Sequence, residues 1–357
     1  MNILQIAAYC ASFPGNFIFS LLELDKQINN GKVIYAFPEE AKDKPWCVEL
    51  QKSRTVYFLP LAKARIRFST YKKIRDICKT EEIDIIHSHF ELYDIPCLFA
   101  SKKVHIVWHM HDSIQAEMGI RGLLRKIQYR KMNNHVSIVT ISDKDRASLI
   151  NMGCNPKQVY VVKNGISVEA LCGIEIDKTH PIFLSMGWDY KRKGIDLILE
   201  AAQKLRKEYH NFELIINCRK ETVPYIKESI SLESDDWVSL QFPQEDMKEV
   251  YSKANIFIQA SRHETFSFAV CEAVYAGMRV IVSNIPGLEW SHELQSTVVF
   301  ENENSFDLYC KMKMFVENFN DIVWSYPADK NLIEERYSAR HWAAELLLLY
   351  EGLTRNE

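Results

Sequence analysis

The chain has 357 residues, enough for two α/β domains. Hydrophobic residues make up 47% and charged residues 25%, an ordinary globular balance that excludes a disordered chain. No run of 18 apolar residues occurs, so no membrane-spanning helix is expected. The net charge of −3 is unevenly placed: residues 1–170 carry 24 Lys+Arg against 17 Asp+Glu, and residues 171–357 carry 20 against 30. That split suggests two parts with different partners. Nine cysteines without a C-x-x-C pair point to reduced thiols in the cytoplasm and away from a structural zinc site. Met1–Ile6 lacks a basic leader and reads as a first strand, not a signal peptide.

In chain order, short β-branched or apolar runs predict strands over Ile3–Ala8, Val33–Ala36, Val56–Leu59, Ile83–His87, His105–Trp108, Ser137–Ile141 and Tyr160–Val162. Helical patterns lie between several of them, at Phe17–Gln27, Tyr71–Lys79 and Asp143–Met152. A stretch without periodicity, about residues 168–181, reads as a linker. The rhythm then restarts with strands Ile182–Met186, Glu213–Asn217, Trp237–Gln241, Ile256–Gln259 and Val280–Ser283. Helices are predicted at Gly194–Glu208, Pro224–Ser229, Asp246–Lys253, Phe268–Tyr275 and, last, Ala339–Tyr350. Strands alternating with helices imply parallel sheets. The expected architecture is α/β, with two Rossmann-like doubly wound domains facing a cleft. The expected divisions are residues 1–168, residues 169–338 and a C-terminal helix, 339–357, packing back towards the first domain. Ligands in such sheets bind at the carboxyl ends of the strands.

Two segments at strand ends carry chemistry. In Ser261–Gly277, Glu264 sits in the loop beyond a strand and Glu272 in the helix that follows. The helix N-terminus between them suits a diphosphate, with a carboxylate on either side for hydroxyl groups. Taken alone, two glutamates eight apart read first as an exposed, solvated pair. In Met186–Gly194, adjacent Arg192 and Lys193 precede a helix and can neutralise a departing diphosphate without a metal. Taken alone, that segment reads first as a solvated basic turn.

Together these segments resemble the retaining GT-B glycosyltransferases of the group 1 type, family 4. Ser261–Ser283 resembles the family's Glu–seven residues–Glu block, Arg192-Lys193-Gly194 its donor-phosphate motif, and Asn164-Gly165-Ile166 the turn closing its first domain. Ile83–His89 and Val107–Asp112 resemble its acceptor-domain strand ends. The resemblance implies a metal-independent, retaining hexosyltransferase that uses a nucleotide diphospho-sugar, with a UDP-sugar expected, and no other cofactor. It implies a glycan or lipid-linked acceptor in bacterial envelope or surface glycan synthesis. Glu272 would bind the ribose and Glu264 the transferred sugar. Thr265, Phe266 and Ser267 would hold the sugar and diphosphate, and Arg192 and Lys193 the leaving phosphate. His111 would lie near the reacting sugar, and Gly15 and Asn16, after the first strand, near the donor. The sequence departs from the family at Trp188, where an arginine is usual, at Asn217-Cys218-Arg219 in place of Gly-x-Gly, and at Met278 in place of proline. An epimerase or hydrolase on the same fold, and a non-catalytic nucleotide-sugar-binding protein, remain alternatives.

Other motifs have competing readings. His87, His89, His109 and His111 form two H-x-H pairs that could ligate zinc, or simply pack and hydrogen-bond. Asp143-Lys-Asp145 spells a metal–diphosphate motif, but after Ser142 it reads as a helix cap. No metal is expected. Basic segments at Lys63–Arg67, Lys72–Arg75 and Arg121–Lys131 have interleaved apolar residues. They suit peripheral contact with an anionic membrane at its cytoplasmic face. They lack the aromatic lining of a nucleic-acid site, so no nucleic acid is expected.

Overall fold

The structure, a computed structural model, describes residues 1–100, 103–112, 119–176, 178–230, 236–244, 246–324 and 326–355. The side chains of residues 119–122, 124, 125 and 170 fall outside the description. The chain forms two compact units, Met1–Gly165 with Ala339–Glu357, and Ile166–Ser338. The division falls three residues before the expected boundary because Ile166 pairs with Ser338 in an isolated parallel bridge, its N–H donating to Tyr337 O at 2.7 Å.

Among the described residues the first unit has strands β1 Asn2–Ala7, β2 Lys32–Pro38, β3 Val56–Leu59, β4 Ile85–His89, β5 His105–Met110, β6 Ser137–Thr140 and β7 Val159–Val161. They form one parallel sheet in the order β3-β2-β1-β4-β5-β6-β7. Apolar residues cover both faces, as a parallel sheet requires. One face packs Leu4, Ile6, Ile86, Trp108 and Ile138, and the other Ile3, Tyr35, Phe37, Ile85 and Val107. The last helix, Ala339–Thr354, belongs to this unit and buries Trp342, Ala343, Leu346 and Tyr350 in the second cluster. It packs along the helix Gly15–Gln27, and Gln27 Nε2 donates to Arg340 O at 3.1 Å. Strand β4 runs to His89, two residues further than its sequence suggests, so the H-x-H pair lies within the sheet. Ser142 caps the helix Asp143–Asn151: its Oγ accepts from Asp145 N at 3.1 Å and donates to Asp145 Oδ2 at 2.6 Å.

The second unit repeats the plan with β8 Ile182–Met186, β9 Glu213–Asn217, β10 Val238–Gln241, β11 Ile256–Gln259, β12 Arg279–Ser283 and β13 Thr297–Phe300. All pair in parallel, in the order β10-β9-β8-β11-β12-β13. The chain winds outward from β8 on one side, then returns to β11 on the other. The loops beyond β8 and β11 therefore flank the switch point, where open α/β sheets place ligands.

These two loops are locked together. Arg262 N donates to Arg192 O at 2.9 Å. The Arg262 guanidinium forks onto Asp196, at 2.9 and 3.0 Å, and also reaches Lys191 O at 2.5 Å. Gly194 opens the helix Ile195–Arg206 in the left-handed region, φ +66°, and a Cβ there would lie 2.0 Å from Ala260 O. Left-handed strain and backbone overlap coincide at this residue. Gly194→Ala is therefore expected to lose about 3 kcal/mol of stability, read as a lower urea midpoint with unchanged slope. A midpoint equal to wild type would show that the loops tolerate separation.

Candidate functional site

At the switch point of the second unit, Glu264 is the hub. Its Oε1 accepts from Lys193 Nζ at 2.5 Å, Ser261 Oγ at 2.8 Å and Gln259 Nε2 at 2.9 Å. The Lys193 and Glu264 side chains are only 8% and 9% exposed. Burial lowers the Lys193 pKa, and the facing Glu264 carboxylate works against that shift. Ser261 is held in turn by Ser283 Oγ, which donates to Ser261 O at 2.6 Å. Gly287 packs beneath the Glu264 backbone, where a Cβ would lie 2.0 Å from Glu264 O. Two residues that the sequence suggested for separate roles thus form one buried ion pair. Desolvated pairs of this kind are strongly interdependent. Sequence reasoning passed over Gln259, Ser261 and Gly287; polar residues at the very end of an apolar strand were the available signal.

Beyond Glu264 the chain turns sharply into the helix Phe268–Tyr275. Ser267 stands at its N-terminus in the left-handed region, φ +67°, rare for a residue with a side chain. Its buried Oγ has no hydrogen-bond partner among the described residues. Strain and an orphaned hydroxyl thus coincide at a helix N-terminus, a kind of position suited to an anion. Phe266 is fixed by stacking on Trp290, ring centroids 5.1 Å apart, and Trp290 Nε1 donates to Phe266 O at 2.7 Å. Thr265 is half-buried between Glu264 and Phe266. One turn into the helix, Glu272 Oε2 accepts from the buried Tyr251 hydroxyl at 2.6 Å. Tyr251 is a further residue the sequence did not single out. Arg192 lies beside Lys193, its backbone N–H donating to Asp189 Oδ1 at 3.1 Å and its guanidinium 4.2 Å from the centre of the Trp188 ring.

The remaining expected residues lie in the first unit. Gly15 opens the helix Gly15–Gln27 with φ +57°, two residues earlier than its sequence pattern, and Asn16 follows it. The Tyr9 hydroxyl donates to Phe13 O at 2.9 Å and Pro14 O at 2.8 Å, fixing the loop before that helix. Phe17 meets the His111 ring edge-on at 5.6 Å, so this helix start and His111 share one neighbourhood.

His111 ends a hydrogen-bonded chain of side chains. Strand register places His87 beside Gln5 and His89 beside His109, on one face of the sheet. His109 Nδ1 meets His87 Nε2 at 3.2 Å, and His87 Nδ1 meets the Tyr350 hydroxyl. Gln5 Nε2 donates to Tyr350 Oη at 3.1 Å, and His89 Nε2 donates to Gln5 Oε1 at 2.8 Å. His89 Nδ1 then meets His111 Nε2 at 2.9 Å, and His111 is hydrogen-bonded by Asn164. Burial drives His87, His89 and His109 well below the ordinary histidine range, and pushes His111 down to about 3. Ligand atoms of His87, His89 and His109 lie within 4.8 Å of one another, close enough to hold a metal ion. All ring nitrogens of His87 and His89 are already hydrogen-bonded, so an ion would have to displace those bonds; of these three rings, only His109 has a nitrogen, Nε2, with no hydrogen-bond partner among the described residues.

Two doubly wound parallel units, the second with its polar residues gathered at the switch point, have the fold of the GT-B glycosyltransferases. A glycosyltransferase from Rickettsia africae superposes with a TM-score of 0.83 at 17% identity, covering 100% of this chain and 99% of that one. The Anabaena protein Alr3699/HepE, crystallised with UDP and glucose, superposes with a TM-score of 0.79 at 15% identity, covering 98% and 99%. Residues 173–334 match the profile of glycosyl transferases group 1, and residues 32–170 that of glycosyltransferase family 4. The chain belongs to the group 1 glycosyltransferase family. Over 249 residues it is 23% identical to a human protein of the phosphatidylinositol N-acetylglucosaminyltransferase, and the match spans 65% of this chain and 51% of that protein. In two further curated relatives the match spans 39% and 36% of their length.

Proposed function

We propose that this protein transfers a sugar, with retention of anomeric configuration and without a metal, from a nucleotide diphospho-sugar to an acceptor hydroxyl. The observation that carries this reading is the buried Lys193–Glu264 pair beside the strained N-terminus at Ser267. Lys193 and Arg192 stabilise charge growing on the diphosphate as the bond from sugar C1 to phosphate oxygen breaks. The acceptor oxygen bonds to C1, and its proton leaves on the nucleoside diphosphate. Glu264 binds hydroxyls of the sugar, Glu272 those of the ribose, and the backbone N–H groups of Thr265, Phe266 and Ser267 hold the diphosphate. The first unit handles the acceptor, while Gly15 and Asn16 keep their donor role and His111 its role toward the reacting sugar. His111 acts as a neutral hydrogen-bonding ring, since its low pKa leaves it unprotonated at neutral pH. A UDP-sugar donor is supported by the UDP bound to the Anabaena protein. A lipid-linked acceptor, as in envelope glycan synthesis, is supported by the phosphatidylinositol in the human relative's name. Incubation with UDP- and GDP-sugars and lipid-linked glycan acceptors should release nucleoside diphosphate only when an acceptor is present. The product should keep the donor's anomeric configuration by NMR. Conversion of the donor to an epimer, or acceptor-independent hydrolysis at the same rate, would overturn the reading.

The proposal extends to peripheral contact of the first unit with the inner face of an anionic membrane. From Lys52 to Arg75 there are eight basic residues and no acidic one. Within this stretch Ile66 and Phe68 are 79% and 74% exposed, and Phe99, 61% exposed, meets Tyr71 edge-on. Apolar side chains among basic ones suit an anionic bilayer surface. In the helix Gly119–Met132, Leu123, Lys126 and Ile127 are exposed, while Arg121, Leu124 and Arg125 have side chains outside the described residues. Among the described residues no helix is long and apolar enough to cross a membrane. Co-sedimentation with phosphatidylglycerol vesicles is expected at low salt, and to be lost at high salt and in Lys72→Glu/Lys73→Glu. Salt-insensitive binding, or none, would count against the contact.

A further inference from the structure

Trp188 occupies the position where the sequence pattern leads one to expect a phosphate-binding arginine, yet the cationic character of the site is not reduced. Three cations gather around its ring. The Arg192 guanidinium lies 4.2 Å from the ring centre, Lys193 Nζ 5.2 Å and the Arg219 guanidinium 5.5 Å. The first two come from the loop beyond β8. Arg219 comes from the end of β9, the neighbouring strand, brought alongside because Gly187 N donates to Asn217 O at 2.7 Å. The indole is 43% exposed, so the cluster lies at the solvent-accessible surface.

Charge accounting separates the three. Lys193 is paired with Glu264, and Arg192 has Asp189 at 3.7 Å. The exposed Arg219 guanidinium has no acid or hydrogen-bond partner among the described residues. An aromatic face offsets little of the repulsion among three cations at an exposed site, about 0.5–1 kcal/mol each. An anion between them offsets far more. Asn217 supplies an independent sign of a missing ligand. It is 7% exposed, yet its Nδ2 donor has no partner among the described residues, and a buried amide donor is ordinarily satisfied.

We propose that Arg219 is a donor-binding residue that supplies the cation lost at position 188. In this arrangement Trp188 is the platform that holds Arg219, Arg192 and Lys193 around one diphosphate. The inference rests on the donor reading above and adds a ligand from a different strand. It also explains why Asn217-Cys218-Arg219 stands where glycines are usual: the strand end contributes side chains, not close backbone approach, to the nucleotide.

The test is calorimetric titration of UDP, GDP, uridine and guanosine into wild type, Arg219→Gln and Arg219→Lys. For whichever diphosphate the wild type binds, affinity is expected to fall about tenfold in Arg219→Gln, the worth of one charge-assisted hydrogen bond, and less in Arg219→Lys. Affinity for the matching nucleoside should not change, and Tm without ligand should stay at the wild-type value because Arg219 is exposed. Arg219→Gln binding the diphosphate as tightly as wild type would overturn this inference alone. Equal losses for diphosphate and nucleoside would also overturn it, because the residue would then act on fold or base. Wild type binding neither UDP nor GDP would overturn the donor reading and this inference with it.

Discussion

Lys193→Ala is expected to reduce sugar transfer by at least about 100-fold and to lower stability by about 3 kcal/mol. The two losses have different origins. Transfer falls because the leaving diphosphate loses its buried cation. Stability falls because Glu264, 9% exposed, keeps a charge whose partner at 2.5 Å has gone. A fold left untouched, natural to expect of a surface lysine, is not expected of this one. The double variant Lys193→Met/Glu264→Gln separates the effects. Methionine fills the lysine's volume, and the glutamine Oε1 still accepts from Ser261 and Gln259, which reach Glu264 at 2.8 and 2.9 Å. Replacing a buried ion pair by neutral groups of similar shape costs little. The double variant should therefore melt near wild type and remain inactive. Recovery of transfer along with stability would show that the pair is only structural.

The histidine chain should make the protein sensitive to mild acid. His87, His89, His109 and His111 are neutral when folded, because burial depresses their pKa values. In the unfolded chain they titrate near 6.5. Below that pH the unfolded state binds protons that the folded state does not, so stability is full above pH 6.5 and falls as pH drops beneath it. Each ring contributes about 1.4 kcal/mol per pH unit in that window. Asp94 works in the opposite direction. Burial pushes it up to about 7, so in the same window the folded state holds a proton that the unfolded carboxylate has released. Because each unfolded ring is half protonated at pH 6.5, four rings less one carboxyl lower stability by about 3 kcal/mol between pH 6.5 and 5.5, a large part of a typical domain stability. The Asp196 carboxylate, lowered by its pairing with Arg262 and Lys191 against the pull of burial, adds its loss only at more acidic pH. Urea midpoints at pH 7.5, 6.5 and 5.5 test this. His109→Gln should flatten the lower step by about one proton. A midpoint unchanged from pH 7.5 to 5.5 would mean that the rings are charged or exposed.

The alternation of apolar runs with helical patterns was enough to read two parallel sheets, because buried parallel strands are nearly continuous apolar segments. Glu264, Glu272, Arg192 and Lys193 were legible because they sit where strands end and helices begin. Their pairing was not. Lys193 and Glu264 are 71 residues apart and meet only because β8 and β11 are neighbours at the switch point. The histidine chain closes through Gln5 and Tyr350, 345 residues apart, which no local pattern could join. Two helices near the C-terminus were passed over. Pro327–Tyr337 presents little amphipathic pattern to read. Ser305–Glu317 did carry a local signal, Asn304, whose side chain accepts from both Phe306 N and Asp307 N. Strand β13 went unread although Thr297–Phe300 is a β-branched run, because it is short and half-buried at the sheet edge.

The most direct measurement of the central claim is calorimetric titration of UDP-glucose and GDP-mannose into wild type and Glu272→Ala. One of the two should bind wild type at a single site. Its affinity should fall about tenfold in Glu272→Ala, which removes a carboxylate from the ribose hydroxyls. Failure of wild type to bind either at ~1 mM, or binding indifferent to Glu272, would contradict a nucleotide-sugar site at the switch point of the second unit.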